Sequence, residues 1–185
     1  RREAAWSLAA MTLMRFCYGA MLVMLLMLCR YALTSGTDEG LALLGVALGI
    51  SGAGFFVAAV VTPWAAGRLG AGRWMALCAA TATVLVPALA LPFATAPLIA
   101  TAFVLGLITQ GSKIATDTIV QSSVDDAFRG RTFSLYDVLF NVAFVGAAGV
   151  AALMLPPDGR SVPLVVTVTL IYAAVALIMV RRVSR

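Results

Sequence analysis

Six long apolar segments constrain this chain more than any other feature of its sequence. A membrane-spanning helix needs about 20 predominantly apolar residues. Segments of this kind are predicted at residues 8–33, 41–62, 74–91, 98–121, 133–155 and 162–180. Charged residues make up only 11% of the chain, whereas a soluble domain has about 25%. We therefore predict an all-α membrane protein in which residues 1–185 form a single six-helix transmembrane bundle.

The arginines are distributed unequally between the two sides of this bundle. With six spans both termini lie on one side, which collects nine arginines against two on the other. Because cytoplasmic loops carry an excess of basic residues, both termini are predicted to be cytoplasmic in a multi-pass protein of the cell membrane. The charge of +5 is therefore an orientation signal and does not indicate nucleic-acid binding. The nine are Arg1, Arg2, Arg68, Arg73, Arg129, Arg131, Arg181, Arg182 and Arg185, and the two are Arg30 and Arg160.

Polar residues inside the apolar spans are the strongest functional signal. Gln110, Lys113 and Asp117 have the spacing of one helical face in the fourth span. Asp137 and Asn141 have the same spacing in the fifth span. Ionisable groups inside a membrane are costly unless they are paired or face water, so they mark functional sites. These five residues are candidates for substrate binding or proton coupling.

Arg15, in the first span, is a sixth candidate, and the sequence leaves its depth open. Arg15 lies inside the membrane if the helix starts near Leu8, and it is an interfacial anchor if the apolar core starts at Phe16. An internal ion-pair network that fixes helix packing remains an alternative role for the whole set, and the two roles can coexist.

Lys113 and Asp117 are four residues apart on one helix and can form an ion pair. Asp137 has only the uncharged Ser134 and Asn141 as partners on its own helix, so it is the predicted proton-handling residue. A short charged hairpin joins the fourth and fifth spans, which predicts neighbouring helices with the two aspartates at similar depth. The charged residues of the hairpin are predicted to be solvated; they are Asp125, Asp126, Arg129 and Arg131.

The second span is rich in glycine and contains a sequence similar to an enzyme motif. Gly49-Ile50-Ser51-Gly52 matches the GxSG pattern of rhomboid intramembrane proteases, which need a histidine to activate the serine, and this chain has no histidine. We therefore predict no enzymatic activity, no metal and no cofactor. The segment is predicted to pack closely against another helix through Gly45, Gly49, Gly52 and Gly54. Buried packing is also predicted for the three cysteines, Cys17, Cys29 and Cys78.

Two loop sequences, combined with the six spans and the cytoplasmic termini, resemble the C-terminal half of a major facilitator superfamily transporter. Arg68, Gly70 and Arg73, between the second and third spans, resemble the loop motif of that family, although Gly67 replaces its aspartate and Pro63 its leading glycine. The second sequence, between the fourth and fifth spans, resembles the junction of the tenth and eleventh helices in bacterial efflux-type permeases; it consists of Arg129, Gly130 and Arg131.

This resemblance implies two inverted three-helix repeats. The first and fourth spans would line a central cavity with the fifth close by, and the third and sixth would face lipid. The chain would then be half of a secondary transporter that moves a small solute by alternating access, coupled to protons and in the direction of efflux. Its partners would be the lipid bilayer, the solute, protons and an N-terminal six-helix half, because the chain starts at Arg1 without methionine and is expected to be a fragment. The alternative is a self-contained six-helix scaffold or channel that dimerises.

Overall fold

The computed structural model describes residues 2–184 and is 89% helical. The predicted all-α membrane fold is confirmed, because each of six helices is long and apolar enough to cross a membrane. Arg1 and Arg185, counted above among the cytoplasmic arginines, lie outside the described residues. The helices are α1 (Arg2–Tyr31), α2 (Thr37–Leu69), α3 (Ala71–Ala90), α4 (Thr95–Ser123), α5 (Asp126–Met154) and α6 (Val162–Val183).

The connection predicted at residues 63–73 is mostly helical, which corrects the sequence analysis. Helix α2 continues through Pro63, and only Gly70 separates it from α3. Thr62 and Ala65 are buried on either side of the proline, so packing holds the helix together where the proline removes one hydrogen bond. Gly70 turns the chain with φ +89°, a conformation that glycine adopts without steric cost.

The charged hairpin predicted between the fourth and fifth spans is also mostly helical. Only Val124 and Asp125 separate α4 from α5, so most of the charged residues lie in the first two turns of α5. The Arg129 Nη2 atom lies 2.6 Å from Oδ1 of Asp126 and donates a 3.0 Å hydrogen bond to the main-chain oxygen of Gln121. This arginine therefore ties the start of α5 to the end of α4.

Helices α1–α3 form one group and α4–α6 form a second, and the second helix of each group packs against the other group. Helix α2 packs mainly against α4, α5 packs mainly against α1, and α3 packs against α6. The second helix of each group thus contacts the first helix of the other group, as expected for inverted repeats. The prediction that the fourth and fifth helices are neighbours is wrong, because α4 and α5 diverge from their short connection and touch only slightly.

Two glycines allow the backbones of α2 and α4 to approach closely. A Cβ atom at Gly54 would overlap the backbone of Phe103, and one at Gly106 would overlap the backbone of Ser51. Small residues permit this type of contact between membrane helices. The prediction of glycine-mediated packing is therefore confirmed for Gly54. The other three glycines named for this role have open space beside them: Gly45, Gly49 and Gly52.

Helices α2 and α5 are the least covered of the six described helices. In their most apolar stretches 22% and 17% of residues are buried, compared with 56% in both α1 and α4. Helices α3 and α6, which were predicted to face lipid, are intermediate at 39%. Helix α6 buries a face that includes Val165, Val168 and Tyr172. The bundle therefore has two long open faces, one on α2 and one on α5.

Alanine at Gly54 or Gly106 is expected to lower the melting temperature of the protein in detergent. The added methyl group would force α2 and α4 apart, and overpacking of this kind costs about 1–3 kcal/mol. Gly67→Ala on α2 is the matched control, since a Cβ atom there meets nothing within 4 Å. It should leave the melting temperature unchanged or raise it, because alanine favours helix over glycine by roughly 0.8–1 kcal/mol. Equal melting temperatures for all three variants would contradict the close approach.

Candidate functional site

The guanidinium group of Arg15 lies against aromatic rings of α1 and α5. Its Cζ atom is 4.1 Å from the ring centroid of Phe140, 4.5 Å from that of Phe144 and 5.2 Å from that of Tyr18. Such cation–π contacts strengthen where water is excluded. Helix α1 begins at Arg2, which puts Arg15 about 20 Å along its axis. Arg15 therefore lies half-buried between α1 and α5.

Lys113 and Asp117 form the predicted ion pair on α4. The Nζ atom of Lys113 is 3.0 Å from Oδ2 of Asp117, and the two side chains are 34% and 27% exposed. The other carboxylate oxygen, Oδ1, is buried and has no hydrogen-bond partner among residues 2–184. Gln110 lies one turn earlier on α4 and is half-buried. The pair therefore keeps one unpartnered acceptor inside the bundle.

Tyr136 on α5 connects this ion pair to Arg15. The Nζ atom of Lys113 lies 5.7 Å from the Tyr136 ring centroid. The tyrosine is buried, and its hydroxyl has no hydrogen-bond partner in the described part of the chain. It lies close enough to interact electrostatically with three of the predicted site residues, Arg15, Asp117 and Asp137.

Three aromatic residues beside Arg15 were not predicted from the sequence: Tyr136, Phe140 and Phe144. Their spacing of four residues places them on one face of α5, which is the signal that marks them as a group. Aromatic residues in an apolar span are normally packing residues, however, and α5 was expected to pack on α4. The contact between α5 and α1 gives this face its role beside Arg15.

Asp137 and Asn141 lie on the exposed face of α5. The Asn141 side chain donates a 2.8 Å hydrogen bond to the main-chain oxygen of Asp137, and Ser134 donates to the main-chain oxygen of Gly130. Ser134 and Asn141, which were predicted as partners of Asp137, therefore do not bind its carboxylate. Asp137 lies about 16 Å from the start of α5 and Asp117 about 9 Å from the end of α4, counted at 1.5 Å per residue. Similar depth of the two aspartates in the membrane stays a prediction.

The residues of the two loop motifs lie at the end of the bundle where both described ends of the chain meet. The Arg182 guanidinium lies 3.8 Å from the ring centroid of Trp6, which joins the end of α6 to the start of α1. At this same end Gly70 and Arg73 line a cavity with Trp6 and Arg182. Two further arginines are exposed: Arg68, which lies over the Trp64 ring, and Arg131 in α5.

Ser51 and the cysteines have packing roles, as predicted. The Ser51 hydroxyl oxygen lies 3.2 Å from the hydroxyl oxygen of Tyr18, so it joins α2 to α1. The free cysteines Cys17, Cys29 and Cys78 are all buried. Residues 2–184 contain no group of three cysteine, aspartate or glutamate side chains that could hold a metal ion.

Two curated proteins match this chain over most of its length. Each is 31% identical over 173 residues, which is 92% of this chain and 38% of the relative. They are described as uncharacterized MFS-type transporters of Mycobacterium bovis and Mycobacterium tuberculosis. The chain is homologous to major facilitator superfamily transporters. No family model matches the chain, and no solved structure matches it.

The resemblance to the major facilitator superfamily inferred from topology and loop sequences is therefore confirmed. The chain spans well under half the length of these relatives, which is consistent with one half of such a protein. Within this chain the polar and ionisable candidates of the spans lie on three helices: α1, α4 and α5. Tyr136 brings the residues of all three helices together.

Lys113→Met and Asp117→Leu are each expected to reduce the folded yield of the full-length protein more than the double variant does. Each single change leaves a charge inside the bundle without a partner. Removing one member of a buried ion pair is more destabilising than replacing both members with apolar residues. The folded yield is measured by size-exclusion chromatography of detergent-solubilised membranes that contain a fluorescent fusion of each variant, with detection by fluorescence.

The exposed pair of Asp126 and Arg129 is the matched control for this experiment. Asp126 is 87% exposed, and exposed ion pairs contribute only about 0–1 kcal/mol. Asp126→Ala, which removes this ion pair and leaves the hydrogen bond from Arg129 to Gln121 in place, should therefore give a yield close to that of the unmodified protein. If the double variant of Lys113 and Asp117 has no higher yield than the worse single variant, the two side chains do not neutralise each other.

Proposed function

We propose that this chain is the C-terminal six-helix half of a secondary transporter that moves a small solute by alternating access. Transport is coupled to protons and runs in the direction of efflux across the cell membrane. The observation that carries this proposal is the group of ionisable side chains within the apolar helices α1, α4 and α5. The relatives, which are described as MFS-type transporters, support a transport function.

The proposed solute site combines charged and aromatic surfaces. The Nε atom of Arg15 and the Oδ1 atom of Asp117 have no hydrogen-bond partner among the described residues, and both are buried in this conformation. The movements of alternating access would expose them to a solute. Gln110 and Asn141 add amide groups on the flanking helices. A solute that binds here would contact these groups in place of water. Groups that lack internal partners are suited to this exchange, because binding then breaks no bond within the bundle.

The open face of α5 supports a second six-helix half as partner. Asp137 and Asn141 are exposed on this face, within an apolar span. A carboxylate that faced hydrocarbon would be costly, so such residues face protein or water. Glycines with free space beside them add room for close helix contacts on the two open faces; they are Gly45, Gly49 and Gly52 on α2 and Gly146 and Gly149 on α5.

Asp137 is the proposed proton-handling residue. The salt bridges found among residues 2–184 are Lys113–Asp117 and Asp126–Arg129, so the Asp137 carboxylate has no cation bound to it there. It lies close to Tyr136, which also contacts Lys113 and adjoins Arg15. Protonation of this carboxylate would therefore change the charge beside the solute site without breaking an ion pair.

A self-contained channel or scaffold that dimerises is the alternative, with a second copy covering the open faces of α2 and α5. The lengths of the relatives favour the transporter half, because the matched region is only 38% of each. The two candidates differ in water access. A transporter exposes its central residues to each side in turn, an open channel exposes them to both sides at once, and a scaffold exposes them to neither side.

A cysteine at position 141 is expected to react with water-soluble thiol reagents from both sides of the membrane. The test uses the full-length protein in a background without native cysteines, with an impermeant reagent applied to right-side-out and to inverted vesicles. Leu170→Cys on α6 is the matched control, because Leu170 is 64% exposed and lies on a face proposed to contact lipid. It should react several-fold more slowly from either side. Labelling of position 141 from neither side would favour the scaffold.

Two further cysteines calibrate the sidedness of this experiment. Gly130→Cys should react only from the cytoplasmic side and Ser35→Cys only from the outside, as the arginine distribution predicts. Gly130 is suitable because a Cβ atom there has open space. Labelling of Gly130→Cys in right-side-out vesicles, with Ser35→Cys protected, would overturn the proposed orientation.

Asp137→Asn is expected to abolish acceleration of transport by a pH gradient while leaving solute exchange intact. The measurement uses full-length protein in proteoliposomes and a solute whose gradient-driven movement the unmodified protein supports. Asparagine keeps the shape of the side chain but cannot gain or lose a proton. Asn141→Asp, one turn away, tests the location of the carboxylate when combined with Asp137→Asn. Full gradient-driven transport by Asp137→Asn alone would show that Asp137 does not handle the proton.

A further inference from the structure

A basic cavity lies at the end of the bundle where α1 begins and α6 ends. Its volume is about 760 Å³, and it is bounded by the first turns of α1, the corner between α2 and α3, and the last turns of α6. Four arginines and one acidic residue line it, together with Trp6; the charged residues are Arg2, Arg73, Arg181, Arg182 and Glu3. The cavity is separate from the proposed solute site and shares no residue with it.

The positive charge of this cavity is not balanced by the described residues. The salt bridges of residues 2–184 are Lys113–Asp117 and Asp126–Arg129, so none of the four lining arginines is paired with a carboxylate. Glu3 is the acidic residue among the described residues that line the cavity. The first turn of α3 also lines the cavity, and no side chain caps its free N–H groups at Gly70. The positive end of that helix dipole adds to the attraction for an anion.

One wall of the cavity is apolar and leads to the outer surface of the bundle. Leu69, Ile119 and Ile178 line the cavity beside the arginines. Ile178 is also 39% exposed, and Leu170, about two turns earlier on the same side of α6, is 64% exposed. An apolar surface on α6 therefore runs out of the cavity toward the surrounding bilayer. A ligand that matches both parts has an anionic end and a hydrocarbon end.

We propose that this cavity binds the phosphate headgroup of an anionic phospholipid, with an acyl chain along α6. Basic pockets between membrane helices bind anionic headgroups, and the arginines here lie at the end of the bundle predicted to be cytoplasmic. The phosphate contacts Arg73 and the first turn of α3. Arg182, held against the Trp6 ring at 3.8 Å, contacts it from the opposite side. This assignment stands whether or not the chain transports a solute.

The proposal is tested by titrating the delipidated full-length protein in detergent with dioctanoyl phosphatidylglycerol and measuring the melting temperature. The melting temperature should rise saturably. Dioctanoyl phosphatidylcholine and inorganic phosphate at the same concentrations should have little effect, because the first lacks net negative charge and the second lacks the hydrocarbon chain. A rise with phosphate equal to that with phosphatidylglycerol would show a small-anion site and overturn the lipid assignment.

Substitutions locate the binding site. In Arg73→Gln/Arg182→Gln the apparent dissociation constant for phosphatidylglycerol should rise about 25-fold, since each arginine near an anionic lipid contributes about fivefold. Arg73→Lys/Arg182→Lys, which keeps the charge, should remain within a few-fold of the unmodified protein. The matched control is Arg68→Gln/Arg131→Gln, which removes two exposed arginines at the same end outside the cavity. An equal loss in this control would overturn the assignment to the cavity.

A single substitution keeps the test decisive if the double glutamine variant does not fold. Arg181 lines the cavity and is exposed, so Arg181→Gln should leave the fold intact. Its apparent dissociation constant should rise about fivefold. An unchanged value, with phosphatidylglycerol still bound, would show that the lipid binds elsewhere.

Discussion

The packing of α5 on α1 determines where the charged residues of this bundle lie. It brings the rings of Phe140 and Phe144 within 4.5 Å of the Arg15 guanidinium. A cation inside a membrane span is costly unless its surroundings compensate it, and here aromatic faces supply part of that compensation. The same packing places Tyr136 beside the Lys113–Asp117 pair of α4. One helix contact therefore joins ionisable groups that lie far apart in the sequence.

The bundle has two open faces because α2 and α5 each pack against the other group of three helices. Helix α2 uses Gly54 to pack against the backbone of α4, and α5 uses its aromatic face to pack on α1. Each of these helices then directs its other face away from the bundle. On α5 that face carries Asp137 and Asn141, and on α2 it carries glycines with open space beside them. Helix α5 thus stands between an internal aromatic surface and a polar surface that needs water or a protein partner.

The features that the sequence predicted correctly depend on neighbouring residues in the chain. The six spans follow from local hydropathy, and the Lys113–Asp117 pair follows from a spacing of four residues. Hydropathy marks where a helix leaves the bilayer, not where it ends. This is why α2 beyond Pro63 and the first turns of α5 were expected to be loops. The aromatic contacts of Arg15 depend on which helices meet, and a short connection predicted the wrong neighbour for α5.

The charged residues of the spans lie on different sides of α5. Lys113 and Asp117 neutralise each other, which leaves Arg15 on the inner side of α5 and Asp137 on the outer side. Tyr136, which precedes Asp137 in the chain, interacts electrostatically with both. In the proposed mechanism, a proton on Asp137 would remove a negative charge from the region beside the solute site. A cationic solute group would then bind less tightly, so that proton binding and solute binding oppose each other, as exchange of an entering proton for an exported solute requires. Coupling of this kind needs no direct contact between Asp137 and the solute, because Coulomb interactions extend over several ångströms in a medium of low dielectric constant.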